Sequence, residues 1–345
     1  MSEALDPWYL ENLQCPVSGS PLSWDAARSR LVSGTGHAYP VIDGIPVMLP
    51  EEVEPTLAPL RASREANSAD APWYLPSLLL SDAEKAGIRK LIDAGATRID
   101  PVAAYLVAAT NGIGYVHLIG KLTEYPIPEM RLPEGEGRLL LDIGCSWGRW
   151  CIAAARKGYA PVGIDPSLGA VMAARRITRA LGLTVRFVVG DARHLPFRSE
   201  TFDAVFSYSV IQHFSVRDAT QTFEKIGRVL KPGGCSMIQM PTRFGLRCLY
   251  NQARRGFRAT TGFEVRYWSI ADIRKVMEQH VGPSRFTVDC FFGIGWQPSD
   301  AHLMPPRYRA IIACSEVLRR LSARLPLLLG VADSVYVHST KNTPA

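Results

Sequence analysis

No stretch of this sequence is apolar for long enough to span a bilayer, and Met1-Ser-Glu-Ala-Leu-Asp6 lacks the basic-then-apolar layout of a secretory leader. A membrane-embedded or exported chain is not expected; a soluble, cytoplasmic globular protein is. The seven cysteines are scattered, with no Cys-x-x-Cys pair. That excludes a disulfide framework and suits a reducing compartment. No recognised nucleic-acid-binding motif is present. What is there begins with 345 residues, 47% of them hydrophobic, enough for one full core and a small second domain. The formal charge of +7 permits acidic partners. Arginine is dense from Arg243 to Arg324, above all at Arg254, Arg255 and Arg258, where a phosphate, a nucleic acid or an acidic substrate could be attracted.

The chain is organised around Arg138-Leu-Leu-Leu-Asp-Ile-Gly-Cys-Ser-Trp-Gly-Arg-Trp150. An apolar run into Asp142, a turn through Gly144 and Gly148, and the helix-forming Trp150-Cys-Ile-Ala-Ala-Ala-Arg156 read as buried strand, glycine turn and helix. Glycines let backbone approach a ligand closely, and the helix N-terminus presents free N–H groups. A nucleotide-like cofactor is therefore expected. The spacing disfavours NAD, because Arg149 stands where the third glycine of G-x-G-x-x-G belongs.

Acidic-x-Gly-x-x-x-Gly resembles motif I of the class I S-adenosylmethionine-dependent methyltransferases, with Ser146 replacing the middle glycine. Tyr159-Ala-Pro-Val-Gly-Ile-Asp165 is a second strand ending in an acid, and Arg186-Phe-Val-Val-Gly-Asp191-Ala-Arg-His-Leu-Pro-Phe197 resembles the family's G-D-A-x-x-L-P-F motif. Thr201 to Phe214 and Ile226-Gly-Arg-Val-Leu-Lys-Pro-Gly-Gly234 follow in the family's order. The resemblance, to a methyltransferase type 11-like core, implies an α/β, Rossmann-like, seven-stranded fold, mostly parallel with an antiparallel last strand. It implies S-adenosyl-L-methionine as cofactor, held by Asp142, Gly144, Ser146, Gly148, Asp165, Pro166, Asp191, Ala192 and Ser207. In it Asp165 takes the ribose hydroxyls and Asp191 the adenine amino group. Taken singly, Asp165 and Asp191 are equally good helix N-caps. Asp203 reads as architectural.

The N-terminal piece, residues 1–50, is a small β-rich unit. Leu10 to Leu22 and Ala38-Tyr-Pro-Val-Ile-Asp-Gly-Ile-Pro-Val-Met-Leu-Pro50 resemble the zinc-ribbon-like activator domain of tRNA and translation-factor methyltransferases. Its metal chemistry does not carry over: zinc wants four soft or imidazole ligands, and only Cys15 and His37 are offered, with Ser18 where a second cysteine would be. No metal is expected. Residues 51–72 read as a linker, and 73–133 as a helical extension that in this superfamily folds over the cofactor as a lid. Within it Ser81-Asp-Ala-Glu84 has a capping-box layout. Residues 134–345 form the catalytic domain, with a loop-like basic stretch at 241–261, a helix after Ser269, strands near Phe286 to Phe292 and Ser334 to His338, and an insertion at about 293–330.

His213, after the fourth strand, is the candidate general base, needed only if the accepting atom carries a proton. Tyr115, Tyr125, Tyr208, Gln212 and Tyr267 are candidate substrate contacts, with Lys121 beside them. The leading function is methyl transfer to an O or N atom of a small-molecule or glycan-like acceptor. The alternatives are an RNA or protein methyltransferase with its activator fused in cis, and an inactive cofactor-binding scaffold. Against the RNA or protein reading, the fourth-strand loop lacks the N/D-P-P-(Y/F) motif of many amide and exocyclic-amine methylases.

Overall fold

The computed structural model describes residues 5–51, 58–66, 71–95, 98–293 and 295–343. Helix α1 (Pro7–Asn12) starts on Asp6, whose carboxylate accepts from the Trp8 N–H. An antiparallel meander follows: β1 (Leu22–Asp25), β2 (Arg30–Ser33), β3 (Ala38–Ile42) and β4 (Ile45–Pro46). Asp43 and Gly44, which turn β3 into β4, both have positive φ, 48° and 76°. An Asp-Gly pair tolerates that two-residue hairpin geometry best. Around Ser18, hydroxyls rather than thiols tie the loops together. Ser18 Oγ lies 2.9 Å from Ser20 Oγ and accepts from Thr35 Oγ1 at 3.1 Å, while Cys15 is buried with its sulfur 3.1 Å from the Tyr39 hydroxyl.

Part of the expected linker, residues 52–57 and 67–70, lies outside the described residues. The described part is not a spacer: it forms α2 (Ala58–Arg64), with Leu60 buried. Ser63 Oγ donates to the Pro166 carbonyl at 2.8 Å and accepts from the Leu168 N–H at 2.9 Å. So short a helix is held by such tertiary contacts rather than by propensity, which is why composition concealed it. Helix α3 (Asp82–Ala94) opens on the Ser81–Glu84 capping box and closes on Gly95 in the left-handed region. Asp100 caps α4 (Pro101–Asn111), most of whose residues are buried.

From there strands and helices alternate: β5 (Leu139–Ile143), α5 (Arg149–Arg156), β6 (Ala160–Asp165), α6 (Leu168–Ala180), β7 (Arg186–Val189), β8 (Phe202–Ser207), α7 (Val216–Val229) and β9 (Leu230–Pro241). The chain ends with α8 (Leu246–Arg254), α9 (Ile270–His280), β10 (Ser284–Cys290), α10 (Pro306–Ser322) and β11 (Ser334–Thr340). Helix α8 occupies a stretch expected to be loop-like. The seven strands form one sheet in the order β10-β11-β9-β8-β5-β6-β7. Pairing is parallel from β9 to β7, and β11 runs antiparallel between β9 and β10. Leu140, Leu141, Val162, Val188, Val205 and Phe206 are wholly buried, as strands with helices on both faces require. Asp203 is architectural: its carboxylate accepts from the Leu139 N–H at 2.9 Å and meets the Lys231 ammonium at 2.8 Å.

Strand β7 is the sheet's edge, and the N-terminal unit covers it. The Tyr9 hydroxyl donates to the Phe187 carbonyl at 2.9 Å and accepts from the Phe187 N–H at 3.3 Å. The Met48 N–H donates to the Val189 carbonyl, Leu13 bridges Phe197, and Arg186 pairs with Asp6 at 2.7 Å. Unpaired edge groups invite intermolecular pairing; here they are satisfied within the chain. Leu13, Leu31, Tyr39 and Met48 share one apolar cluster with Ile164 and Val188 of the sheet, so the unit is packed onto the larger domain rather than tethered to it.

Candidate active site

Strand order reverses between β5 and β8, and a cavity of about 440 Å³ opens beyond the carboxyl ends of the strands on the β5–β7 side. Crevices at such switch points are where doubly wound sheets bind ligands. Its floor is the turn after β5. Gly144 has φ +77°, and its N–H, like that of Cys145, donates to the Ile164 carbonyl at the end of β6. A Cβ on Gly144 would lie 2.2 Å from Val210 Cγ2, in the cavity wall. Only glycine fits both the backbone and the space. Ser146 also has positive φ, +46°, and reaches the cavity.

Asp165 stands at the end of β6. One carboxylate oxygen accepts from the Ser146 N–H at 3.0 Å, the other from the Ser167 N–H at 2.9 Å. A carboxylate has about four acceptor positions, so capacity for two further donors remains. Burial raises its pKa to about 6, against the opposing pull of those two N–H groups. Pro166, Asp191, Ala192, Tyr208, Gln212 and His213 also line the cavity. Asp191, however, is engaged: its two oxygens accept from the Arg193 backbone N–H, Nε and Nη2 in a buried ion pair. Its expected free acceptor is taken up by a neighbour two residues away.

His213 packs flat on Phe263, ring centroids 4.0 Å apart. The Phe263 carbonyl accepts from Nδ1 at 2.8 Å, which leaves the lone pair on Nε2, where the Gln212 amide nitrogen lies 3.2 Å away. Burial, with help from the Arg266 charge, lowers its pKa to about 4. The imidazole is neutral at physiological pH, as a proton acceptor must be. Tyr208 donates to Asp289 at 3.1 Å and accepts from the Gln297 amide at 2.8 Å. Burial beside Asp289 drives its pKa far up, so it contributes shape rather than a base.

Several expected contacts lie elsewhere. Asp142 is buried behind the turn, meeting Cys151 Sγ at 3.2 Å, with its pKa raised to about 7 by burial. Gly148 caps α5 and packs on Ala174; Ser207 Oγ donates to the Ile143 carbonyl and locks β8 to β5. These three support the turn from outside the cavity lining. Tyr115 is wholly buried and donates to Asp300 at 2.5 Å, Tyr125 accepts from the Asp100 N–H at 2.8 Å, and Tyr267 accepts from Asn251 at 3.4 Å beneath the Arg255 guanidinium. Lys121 is exposed. The helical extension does wall the cavity, but through Leu106, Ala108, Ala109, Thr110 and Gly112 at the end of α4. With Leu60, Leu79, Phe214, Phe263 and Val265 these are among the lining residues that motif reading missed. The small-residue run Ala108-Ala-Thr-Asn-Gly112 was the available signal, since side chains that short let a ligand lie against the helix.

Fold, switch-point cavity and the glycine turn beneath Asp165 together define a class I S-adenosylmethionine-dependent methyltransferase domain. A family model described as Methyltransferase domain matches residues 140–234, and that match implies S-adenosyl-L-methionine as cofactor. A UPF0434 protein from Chelativorans sp. (strain BNC1) is 55% identical over 53 residues, 15% of this chain and 75% of that protein. Over its N-terminal segment the chain belongs to that UPF0434 family. The ubiquinone biosynthesis O-methyltransferase of the same organism is 34% identical over 103 residues, 30% of this chain and 40% of that enzyme, so the chain spans well under half the length of this methyltransferase relative. Among solved structures, the YcgJ protein from Bacillus subtilis is 20% identical, covering 61% of this chain and 94% of its own, at a TM-score of 0.42.

Proposed function

We propose that the chain transfers a methyl group from S-adenosyl-L-methionine to an oxygen or nitrogen atom of a small-molecule or glycan-like acceptor. The observation that carries this is Asp165: a half-buried carboxylate on the cavity wall with acceptor capacity unspent, beside a turn only glycine can make at position 144. That pattern fits a ribose diol, which supplies two hydroxyl donors. The bound cofactor supplies an electrophilic methyl group on a sulfonium. The chain's own residues do the rest. Gly144, Ser146 and Pro166 shape the ribose and methionine side, while Ala192 and Arg193 lie on the side assigned to adenine. Leu60, Leu79, Leu106, Phe214 and Val265 keep water away from the reacting atoms. Positioning of this kind is worth roughly 7–11 kcal/mol where the geometry is good. His213 takes the acceptor's proton at Nε2 once the Gln212 amide gives way. A cavity of about 440 Å³ with mostly apolar walls supports a small acceptor over a macromolecular one. The N-terminal unit acts in cis as a fused, metal-free relative of the zinc-ribbon-like activators, holding the β7 edge.

The test is calorimetric titration of S-adenosylhomocysteine and, separately, NADH into the wild-type chain and an Asp165→Ala variant. Binding of S-adenosylhomocysteine alone, weakened by about 1.5–3 kcal/mol in the variant, supports the assignment. Absence of binding, or equal affinity in the variant, refutes it.

A further inference from the structure

Helix α8 is built the wrong way out for a helix of a monomer in water. Leu246, Leu249, Tyr250 and Ala253 fall at i, i+3, i+4 and i+7, one continuous stripe, and all four are exposed, Leu246 to 55%. The inward positions carry Cys248, Asn251 and Gln252 instead. Phe244 and Phe257 extend the stripe beyond both ends of the helix, Phe257 at 67% exposed. A second exposed apolar segment precedes residues that touch the start of α8. The Thr242 hydroxyl donates to the Ala332 carbonyl, and a Cβ on Gly245 would be 2.4 Å from Asp333 Cα. Ala332 and Asp333 directly follow the turn that carries Leu325, Leu327 and Val331, and Leu327 is 91% exposed. Contiguous exposed apolar surface of this kind marks an interaction site.

Charge says what covers it. Residues 242–263 contain five arginines (Arg243, Arg247, Arg254, Arg255 and Arg258) and no Asp or Glu, and of the five Arg258 is taken up by an ion pair with Glu264 just beyond. Arg247 and Arg254 lie over the Tyr250 ring at 5.1 and 5.9 Å, along the border of the stripe. A second copy of the chain meeting this face about a two-fold axis would set arginine against arginine. A nucleic acid would neutralise the arginines and leave Leu246, Leu249 and Leu327 in water. An apolar stripe bordered by guanidinium groups and aromatic rings matches the interface of an anionic lipid bilayer, with acyl chains for the leucines and headgroup phosphates for the arginines.

We propose that α8 and the 325–331 turn dock this chain on an anionic lipid surface. No helix among the described residues is long and apolar enough to cross a membrane. The segment that follows α8 reaches the cavity, whose lining includes Phe263 and Val265, and the proposal extends to a cavity that faces the lipid. The acceptor is then an amphiphile drawn from the bilayer. That last clause rests on the methyltransferase reading; the docking does not.

The experiment is co-sedimentation of the full chain with vesicles of phosphatidylcholine alone and of phosphatidylcholine mixed with phosphatidylglycerol, at low and at physiological salt. Expected is partition onto the mixed vesicles at least about tenfold stronger than onto the neutral ones, weakening as salt rises. A Leu246→Ser, Leu249→Ser, Phe257→Ser variant should lose about tenfold or more. Arg247→Gln with Arg254→Gln should lose about fivefold per charge. Far-UV circular dichroism and the thermal unfolding midpoint, measured alongside, should be unchanged in both variants and report that they are folded independently of any cofactor. The proposal is overturned if the wild type stays in the supernatant with anionic vesicles, if neutral vesicles capture it equally, or if either folded variant sediments like the wild type. It is also overturned if the wild type is a dimer that the serine variant splits, or if RNA binds this face and displaces the vesicles.

Discussion

Affinity for S-adenosylhomocysteine should fall as the pH is lowered through about 6, and Asp165 should be the reason. Burial raises its carboxyl from the ordinary carboxylate range to about 6 in the ligand-free chain. Two ribose hydroxyls, added to the two N–H groups already bound, can all donate at full strength only to the ionised form, because protonation turns one oxygen into a donor. Protonation therefore competes with binding: the association constant is flat above about pH 7 and drops about tenfold per pH unit below 6, or ~1.4 kcal/mol per unit. Asp165→Asn keeps one oxygen but sets an amide NH2 against one of the two backbone N–H groups, from Ser146 or Ser167, that the carboxylate now accepts. It should weaken binding at pH 8 by about 1.5–3 kcal/mol, or roughly 10- to 150-fold, and remove the pH dependence. The assay is calorimetric titration of both proteins from about pH 8 to about pH 5, the upper limb of the Asp165 titration. A wild-type affinity that stays flat over that range refutes the role given to Asp165. A slope that survives in Asp165→Asn transfers it to another group, and Asp142, raised to about 7 just behind the turn, is the first to examine.

Asp142→Asn should stabilise the ligand-free chain at pH 8 by on the order of 2–4 kcal/mol, because it removes a buried charge whose nearest side-chain partner is a thiol. The sign runs opposite to an ion-paired acid: with the folded pKa raised, wild type recovers stability as pH falls through about 7 toward 4. The advantage of the variant should therefore shrink, read as the difference in Tm between the two proteins. The difference is what matters, because His213 and His338, both lowered to about 4 by burial, oppose the trend in each protein. Gly144→Ala should cost about 1–3 kcal/mol of stability and drive Val210 into the cavity, weakening S-adenosylhomocysteine by more than about tenfold; unchanged calorimetry would show that the turn is not part of the site. His213→Gln should leave S-adenosylhomocysteine affinity intact and lower the methylation rate by about 10²–10⁴-fold for an acceptor whose reacting atom carries a proton. Equal rates would restrict His213 to packing against Phe263.

Much of the core was legible because its signals are local. The strands at 139–143, 160–165 and 186–189 are short apolar runs closed by Asp142, Asp165 and Asp191, and glycine marks the turns after the first and third, so the cavity floor was legible from spacing while the seven-stranded sheet came from the family resemblance. What was not legible depends on residues far apart in sequence meeting in space. The helix at 58–64 shows no apolar period, because what holds it is one serine bonded to Pro166 and Leu168. Asp191 reads as a free acceptor until the Arg193 side chain is seen to fold back onto it. Tyr115 precedes the sheet and invites a role at the cofactor, yet its hydroxyl donates to Asp300, 185 residues away.

That last contact explains what the insertion at 293–330 does. Asp300 is only 1% exposed and accepts both the Tyr115 hydroxyl and, at 3.0 Å, the guanidinium of Arg149, the first residue of α5. Arg149 is the residue that broke the dinucleotide fingerprint. Standing where a third glycine would allow close helix-to-strand packing, it instead carries a buried charge from the motif I helix to the insertion. Three residues before Asp300, the Gln297 amide holds the Tyr208 hydroxyl in the cavity wall. Breaking a buried pair of this kind by removing one partner costs about 3–5 kcal/mol, so the insertion is bolted to the start of α5 and to Tyr208 at once. A change of acceptor specificity is therefore expected to come from substitutions that leave Arg149, Asp300 and Tyr115 in place and vary what faces the cavity, at Leu60, Leu79, Phe214 and Val265.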